Sequence, residues 1–255
     1  MRNVIFLAIN VIRDSFRKKI FYVVFIFGLA MLALSPLLPS FELGLQAQFL
    51  RDVSISLTSL FGAVLAVIVA VGQLPVEIEK KTIYNILSKP VSRLQYFAGK
   101  FLGVVSTLAI ILLVMGIEII ILIYLRLKVF SPIVFEGVLM VFLESCIIAS
   151  FCYLMTTFAS IPVGVLAAIF FYVLCHVKTG YLHGKLIEGV SGAWRVLTWS
   201  LYYIIPNLEN YNISQQVGYG HGVPGGYTVR VLLYALLFVG LFIFIGYAVF
   251  RRKDL

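Results

Sequence analysis

Charge is scarce in this chain. Only 12% of its residues are Asp, Glu, Lys or Arg, where a soluble domain carries about a quarter. With 62% hydrophobic residues, too little polar surface is left to cover one water-soluble core, which excludes an ordinary soluble enzyme and points to a multi-pass membrane protein. Acidic residues are scarcer than basic ones, 11 against 20, for a formal net charge of +9. The basic residues sit in short clusters beside apolar runs, a topological pattern and not a nucleic-acid-binding face. Cysteine is nearly absent: Cys146, Cys152 and Cys175 lie in apolar stretches with no CxxC spacing, which excludes a disulfide or metal framework and leaves packing thiols. The three histidines, His176, His183 and His221, stand at or beyond the end of an apolar run. A haem-binding anchor needs histidines paired inside its spans, and a membrane metalloprotease needs a motif such as H-E-x-x-H; neither pattern occurs. A nucleotide-binding loop is missing too. Gly180 to Leu186 has one residue too few between its glycines and no Ser or Thr after Lys185, so it cannot form a phosphate-cradling turn. We expect no bound cofactor and no enzymatic activity in the chain itself.

Long apolar runs are what the sequence has instead. Six of them, at residues 20–38, 53–76, 101–125, 133–158, 161–177 and 229–250, are each near the ~20 residues that a spanning helix needs. The fifth is the shortest, and Pro162 suits the first turn of its helix, where the missing N–H costs nothing. The first run lacks a small-residue cleavage site and reads as an anchor, not a removable signal. With the N-terminus inside, thirteen lysines and arginines fall on the inner side and seven on the outer. The positive-inside rule then places both termini in the cytoplasm of a plasma membrane, the inner membrane of a bacterium.

Residues 1–19 are amphipathic. Ile5, Ala8, Ile9, Ile12 and Phe16 recur at helical spacing, while Asn10, Arg13, Asp14 and Arg17 take the other side. This predicts an elbow helix lying in the interface plane with its apolar face in lipid. The longest connection, residues 178–228, is outside. It holds Trp194 and Trp199, which predict an interfacial helix over 185–205, and the Gly-rich stretch 218–226, which predicts a flexible turn into the sixth span.

Residues 77–100 form the one long charged stretch between apolar runs. Val76, Ile83, Ile86 and Leu87 are apolar; Glu77, Glu79, Lys80 and Lys81 are charged, which suits a short helix from 76 to 87. Pro90 stops it by disfavouring helix at Lys89. Ser92-Arg93-Leu94-Gln95 is a capping box that starts a second helix running into the third span. Gly99 and Gly103 are four apart and make a small face for a close helix neighbour. Physics alone leaves two readings, an ordinary interfacial loop and a docking site for a soluble partner.

The string Glu77-x-Glu79-x-x-Thr82-Ile83-Tyr84-x-Ile86-Leu87-Ser88-Lys89-Pro90-Val91-Ser92-Arg93, followed by Gly99-Lys100-Phe101-Leu102-Gly103, resembles the signature region of ABC-2 type transporter permeases. It is most similar to the branch that includes the permease of nitrous-oxide-reductase maturation, as is Pro206-Asn207-Leu208-Glu209 before the last span. The resemblance implies an all-α domain over 1–255 with six transmembrane helices, a cytoplasmic coupling helix between the second and third, and an interfacial or re-entrant helix before the sixth. It implies a separate ATPase subunit, carrying ATP and magnesium, docked at this segment, and a second permease subunit making a homodimer or heterodimer. In that reading Glu77 and Glu79 pair with basic residues of the ATPase, and Ile83, Ile86 and Leu87 give the apolar grip. Pro90 keeps the two short helices apart, with Thr82, Lys89 and Arg93 completing the motif. A membrane scaffold that recruits a partner without transport is the competing expectation.

Two acidic residues lie inside spans. Glu144 is 11 residues into the fourth, about 16 Å deep at 1.5 Å per residue and near the middle of a ~30 Å core. Glu118 lies nearer the outer boundary. A carboxylate at such depth is protonated, paired or facing a wet cavity, so both are candidates for a substrate or proton path. The plainer expectation is a neutral Glu144 bonded to a neighbouring helix.

Overall fold

The structure, a computed structural model, describes residues 2–17, 20–34, 43–79, 92–178 and 193–253. The described residues are helical, with no strand among them. The helices are α1 (Arg2–Arg17), α2 (Phe21–Leu34), α3 (Leu43–Val71), α4 (Pro75–Glu79), α5 (Arg93–Leu127), α6 (Val134–Met155), α7 (Ile161–Val177), α8 (Ala193–Ile204), a 3-10 turn (Leu208–Tyr211), α9 (Ser214–Gly218) and α10 (Gly225–Arg251). Four stretches are long and apolar enough to cross a membrane: Leu45–Glu77, Arg93–Leu127, Val134–Met155 and Gly225–Arg251. The chain is therefore a multi-pass helical membrane protein.

Two of the six expected spans are shorter. α2 has 14 described residues and α7 has 17, about 21 and 25 Å against a ~30 Å core. The expected first span continues to residue 38, but 35–42 lie outside the described residues. The second span also begins earlier than its apolar run, since α3 starts at Leu43 and carries Arg51 and Asp52 within it.

The bundle is built around α6. It packs against α3, α5, α7, α10, the 3-10 turn and α9, and 78% of its most apolar window is buried, against 22% for α10. That position explains its composition. Cys146, Ala149, Ser150 and Cys152 are small enough for neighbours to approach from all sides, as helix interfaces in lipid require. α10, by contrast, turns Leu232, Leu233, Leu236, Leu237, Leu241 and Phe244 outward. Apolar residues outside and inside alike are what a helix solvated by lipid shows.

α1 lies along the start of α5. Leu7 and Val11 are buried in that contact, whereas Ile5, Phe6, Ile9 and Phe16 are exposed. The Gly99–Gly103 face is where the two helices meet: a Cβ on Gly103 would stand 2.5 Å from the Val11 Cβ, and one on Gly99 would stand 3.0 Å from the Leu7 Cβ. Of the apolar stripe read from the sequence, Ile5, Ile9 and Phe16 point outward, while Ala8 and Ile12 are partly buried. The inward Leu7–Val11 face was not separable from it by periodicity.

At the other end of the bundle the 3-10 turn and α9 form a cap. The turn packs on α6 and α7, and α9 on α3 and α6, burying Leu208, Tyr211, Ile213 and Val217. The glycine-rich stretch expected to be a flexible turn is held on this cap. Gly218 packs on Gln48 and Asp52, Gly220 takes φ +77° beside the Arg51 guanidinium, and the Val223 N–H donates to Glu136 Oε2 at 2.9 Å. Only glycine adopts that φ without strain.

Candidate functional site

Both parts of the molecule singled out from the sequence involve carboxylates, and they are built differently. The first is the junction where α3 gives way to α4 and α5 begins. The helix breaks at Gly72–Leu74, and α4 resumes at Pro75, a residue that starts a helix without wasting an N–H. The break turns Glu77 back toward α5. Lys100 donates to Glu77 Oε1 and the Tyr96 hydroxyl to Oε2. The Lys100 side chain is 3% exposed and that of Glu77 19%, so this ion pair is sheltered. Glu77 thus has an internal partner, because a lysine on the buried face of α5 needs a counter-charge.

Arg93 is also turned to the protein's own use. Its Nη1 donates to the carbonyls of Arg251 and Lys253, both at 3.0 Å, satisfying acceptors left open at the end of α10. The capping box forms as read: Gln95 N–H donates to Ser92 Oγ and Ser92 N–H to Gln95 Oε1, both at 3.2 Å. Beneath these polar ties lies an aromatic cluster. Tyr96 stacks on Phe250, Phe97 packs between Tyr153, Tyr247 and Phe250, and the Tyr153 hydroxyl donates to the Phe97 carbonyl at 3.1 Å. α4, α5, α6 and α10 therefore meet in one packed corner. Glu79 ends α4. Thr82, Ile83, Ile86, Leu87, Lys89 and Pro90 of the expected docking site lie outside the described residues.

The second part is the interior of the bundle. Glu144 on α6 is 2% exposed. Its Oε2 accepts from Ser59 Oγ of α3 at 3.0 Å, and its Oε1 stands 3.5 Å from His176 Nε2 of α7. Oε1 has no hydrogen-bond partner among the described residues. His176 in turn places Nδ1 3.1 Å from the Tyr172 carbonyl. The sequence set His176 at the end of an apolar run and named no partner for it; the structure brings it to Glu144. His176 stands in the last turn of α7, which packs on α6 beside Glu144, and the 3-10 turn packs on α7. Lys178 follows, buried, donating to the Ile205 carbonyl and lying 4.5 Å from the centre of the Tyr202 ring. Burial pulls its ammonium below the ordinary lysine range.

Glu118 on α5 is not brought to Glu144. It faces α2, with its carboxylate beside Gly28, and lines a groove of about 310 Å³ with Phe25, Leu29, Met31, Leu32 and Ile121. Its Oε2 also lacks a partner among the described residues.

The chain belongs to the family described as "Protein of unknown function (DUF2705)", which matches residues 39–255. Among curated proteins no match was found.

Proposed function

We propose that this DUF2705 member is the transmembrane permease subunit of an ATP-binding-cassette exporter. A separate ATPase, holding ATP and magnesium, drives it by gripping residues 80–91 between α4 and α5. One observation carries this reading. Both ends of that segment are tied into a single corner, Glu77 to Lys100 and Tyr96 on one side and Arg93 to the end of α10 on the other. A push on the segment is then delivered to α3, α5 and α10 together and is not lost in a slack loop.

The rest of the fold takes its place in this proposal. α2 and α7 complete six crossings, with the 3-10 turn and α9 making up the outer depth that α7 lacks. α1 is the elbow on the cytoplasmic leaflet of a plasma membrane, with Ile5, Phe6, Ile9 and Phe16 in lipid. The apolar outer face of α10 receives a second copy of the chain. Coupling rests on Glu79, Ile83, Ile86 and Leu87, because Glu77 is spent within the corner.

The test is purification from native membranes with identification of what accompanies the chain. An ATP-binding-cassette ATPase should co-purify, and Ile83→Asp with Leu87→Asp should remove it while the permease still inserts. Absence of such an ATPase, or labelling of residues 80–91 from outside the cell alone, overturns the proposal.

A further inference from the structure

We infer that Ser59, Glu144 and His176 form a buried binding site for a single proton, shared between the carboxylate and the imidazole across the α6–α7 contact. The inference is independent of the transporter reading.

The geometry requires the proton. A carbonyl only accepts, so the 3.1 Å contact of His176 Nδ1 with the Tyr172 carbonyl places a hydrogen on Nδ1. In neutral imidazole that leaves a bare lone pair on Nε2, aimed at Glu144 Oε1 from 3.5 Å. An ionised carboxylate would then face a lone pair with nothing between them. Ser59 cannot relieve this, since its hydroxyl is donated to Oε2. One added proton does: it lies on Oε1 as a carboxylic acid donating to Nε2, or on Nε2 as imidazolium donating to Oε1. Either form satisfies the oxygen that has no partner among the described residues, and the separation closes toward an ordinary hydrogen bond. Uptake adds one positive charge to the pair, taking it from −1 to zero.

The surroundings favour a proton over a metal ion. No group of three His, Cys, Asp or Glu side chains able to hold a metal gathers among the described residues. The titratable groups that interact with Glu144 include Tyr172, Cys175 and His176 on α7 and Glu209 and Tyr211 at the 3-10 turn. α3 offers the Ser59 hydroxyl, and Lys178 acts one step further off, through Cys175. The Glu144 side chain is 3% exposed and that of His176 25%, so the imidazole is the more accessible of the two. The three residues sit on three helices, so the site depends on how α3, α6 and α7 pack together.

The test is infrared difference spectroscopy of the purified full chain in lipid nanodiscs. It is titrated over roughly pH 4 to 8, where carboxyl and imidazole groups ordinarily titrate. The wild type should show a carboxylic-acid C=O signal that rises with falling pH. It should persist in Glu118→Gln and vanish in Glu144→Gln. In His176→Gln its midpoint should move by at least about tenfold in proton affinity. No titrating carboxyl signal in the wild type, a signal that survives Glu144→Gln, or a midpoint indifferent to His176→Gln would overturn the inference. Should Glu144→Gln fail to fold, the His176→Gln midpoint decides alone. No ATPase is present in the assay, so its failure is distinct from failure of the transporter proposal.

Discussion

Glu77 and Glu144 are both carboxylates drawn out of water, and the fold treats them in opposite ways. Glu77 has a lysine and a tyrosine hydroxyl on its two oxygens, beside an aromatic cluster that holds four helices together. Glu144 has one serine on one oxygen and a histidine just out of hydrogen-bond range of the other. A fully partnered charge pair holds geometry, because losing either member strands the other. A half-partnered carboxylate can change state, because a second arrangement is open to it. One corner is thus held in a single arrangement, while the other region has a second arrangement open to it.

The largest expected effect tests the first half of that contrast. Lys100→Met leaves Glu77 sheltered without its counter-charge and should cost about 3 kcal/mol, the low end for a buried pair since Glu77 is partly exposed. Thermal unfolding in detergent would read it, and Glu77→Gln added to Lys100→Met should restore most of the loss. If the double variant is no better than the single, the pair is not what holds the corner. Next comes Gly103→Leu, which drives a side chain into Val11 of α1. Overpacking of this kind costs about 2 kcal/mol, and the same melting experiment should show it. An unchanged midpoint would mean that α1 is not docked on α5.

Smaller effects belong to the interior. Ser59→Ala removes the donor to Glu144 Oε2 and should cost about 1 kcal/mol, measured as a shift in denaturation midpoint. Glu144→Gln should be close to neutral, within about 1 kcal/mol of wild type. It removes a carboxylate that is poorly compensated and keeps its shape. Should Glu144→Gln prove more damaging than Lys100→Met, the contrast between the regions is reversed.

The reach of the sequence differed between these places for physical reasons. The capping box at Ser92–Gln95 was legible because both hydrogen bonds are made within four residues. The close approach at Gly99 and Gly103 was legible as a small face, though α1 as its occupant was not. Glu144 stood out by depth alone. The Glu77–Lys100 pair was not legible, because the two are 23 residues apart and meet only where the helix breaks at Gly72–Leu74. His176 was set aside because its place at the end of an apolar run says nothing of which helix packs beside it. The described residues stop at Glu79 and resume at Ser92, so the segment between them rests on its sequence resemblance.

What the sequence determined by itself is what composition and short-range pattern carry: a helical chain rich in apolar spans, the capped start of α5, and an amphipathic first helix. Those features depend on local hydrogen bonding and on which residues tolerate hydrocarbon, so neighbours in sequence suffice. Only the tertiary structure decided which polar groups meet. Glu77 with Lys100 and Glu144 with Ser59 and His176 are contacts across 23, 85 and 32 residues, and such pairings are set by where helices break, how far they reach and which of their faces pack.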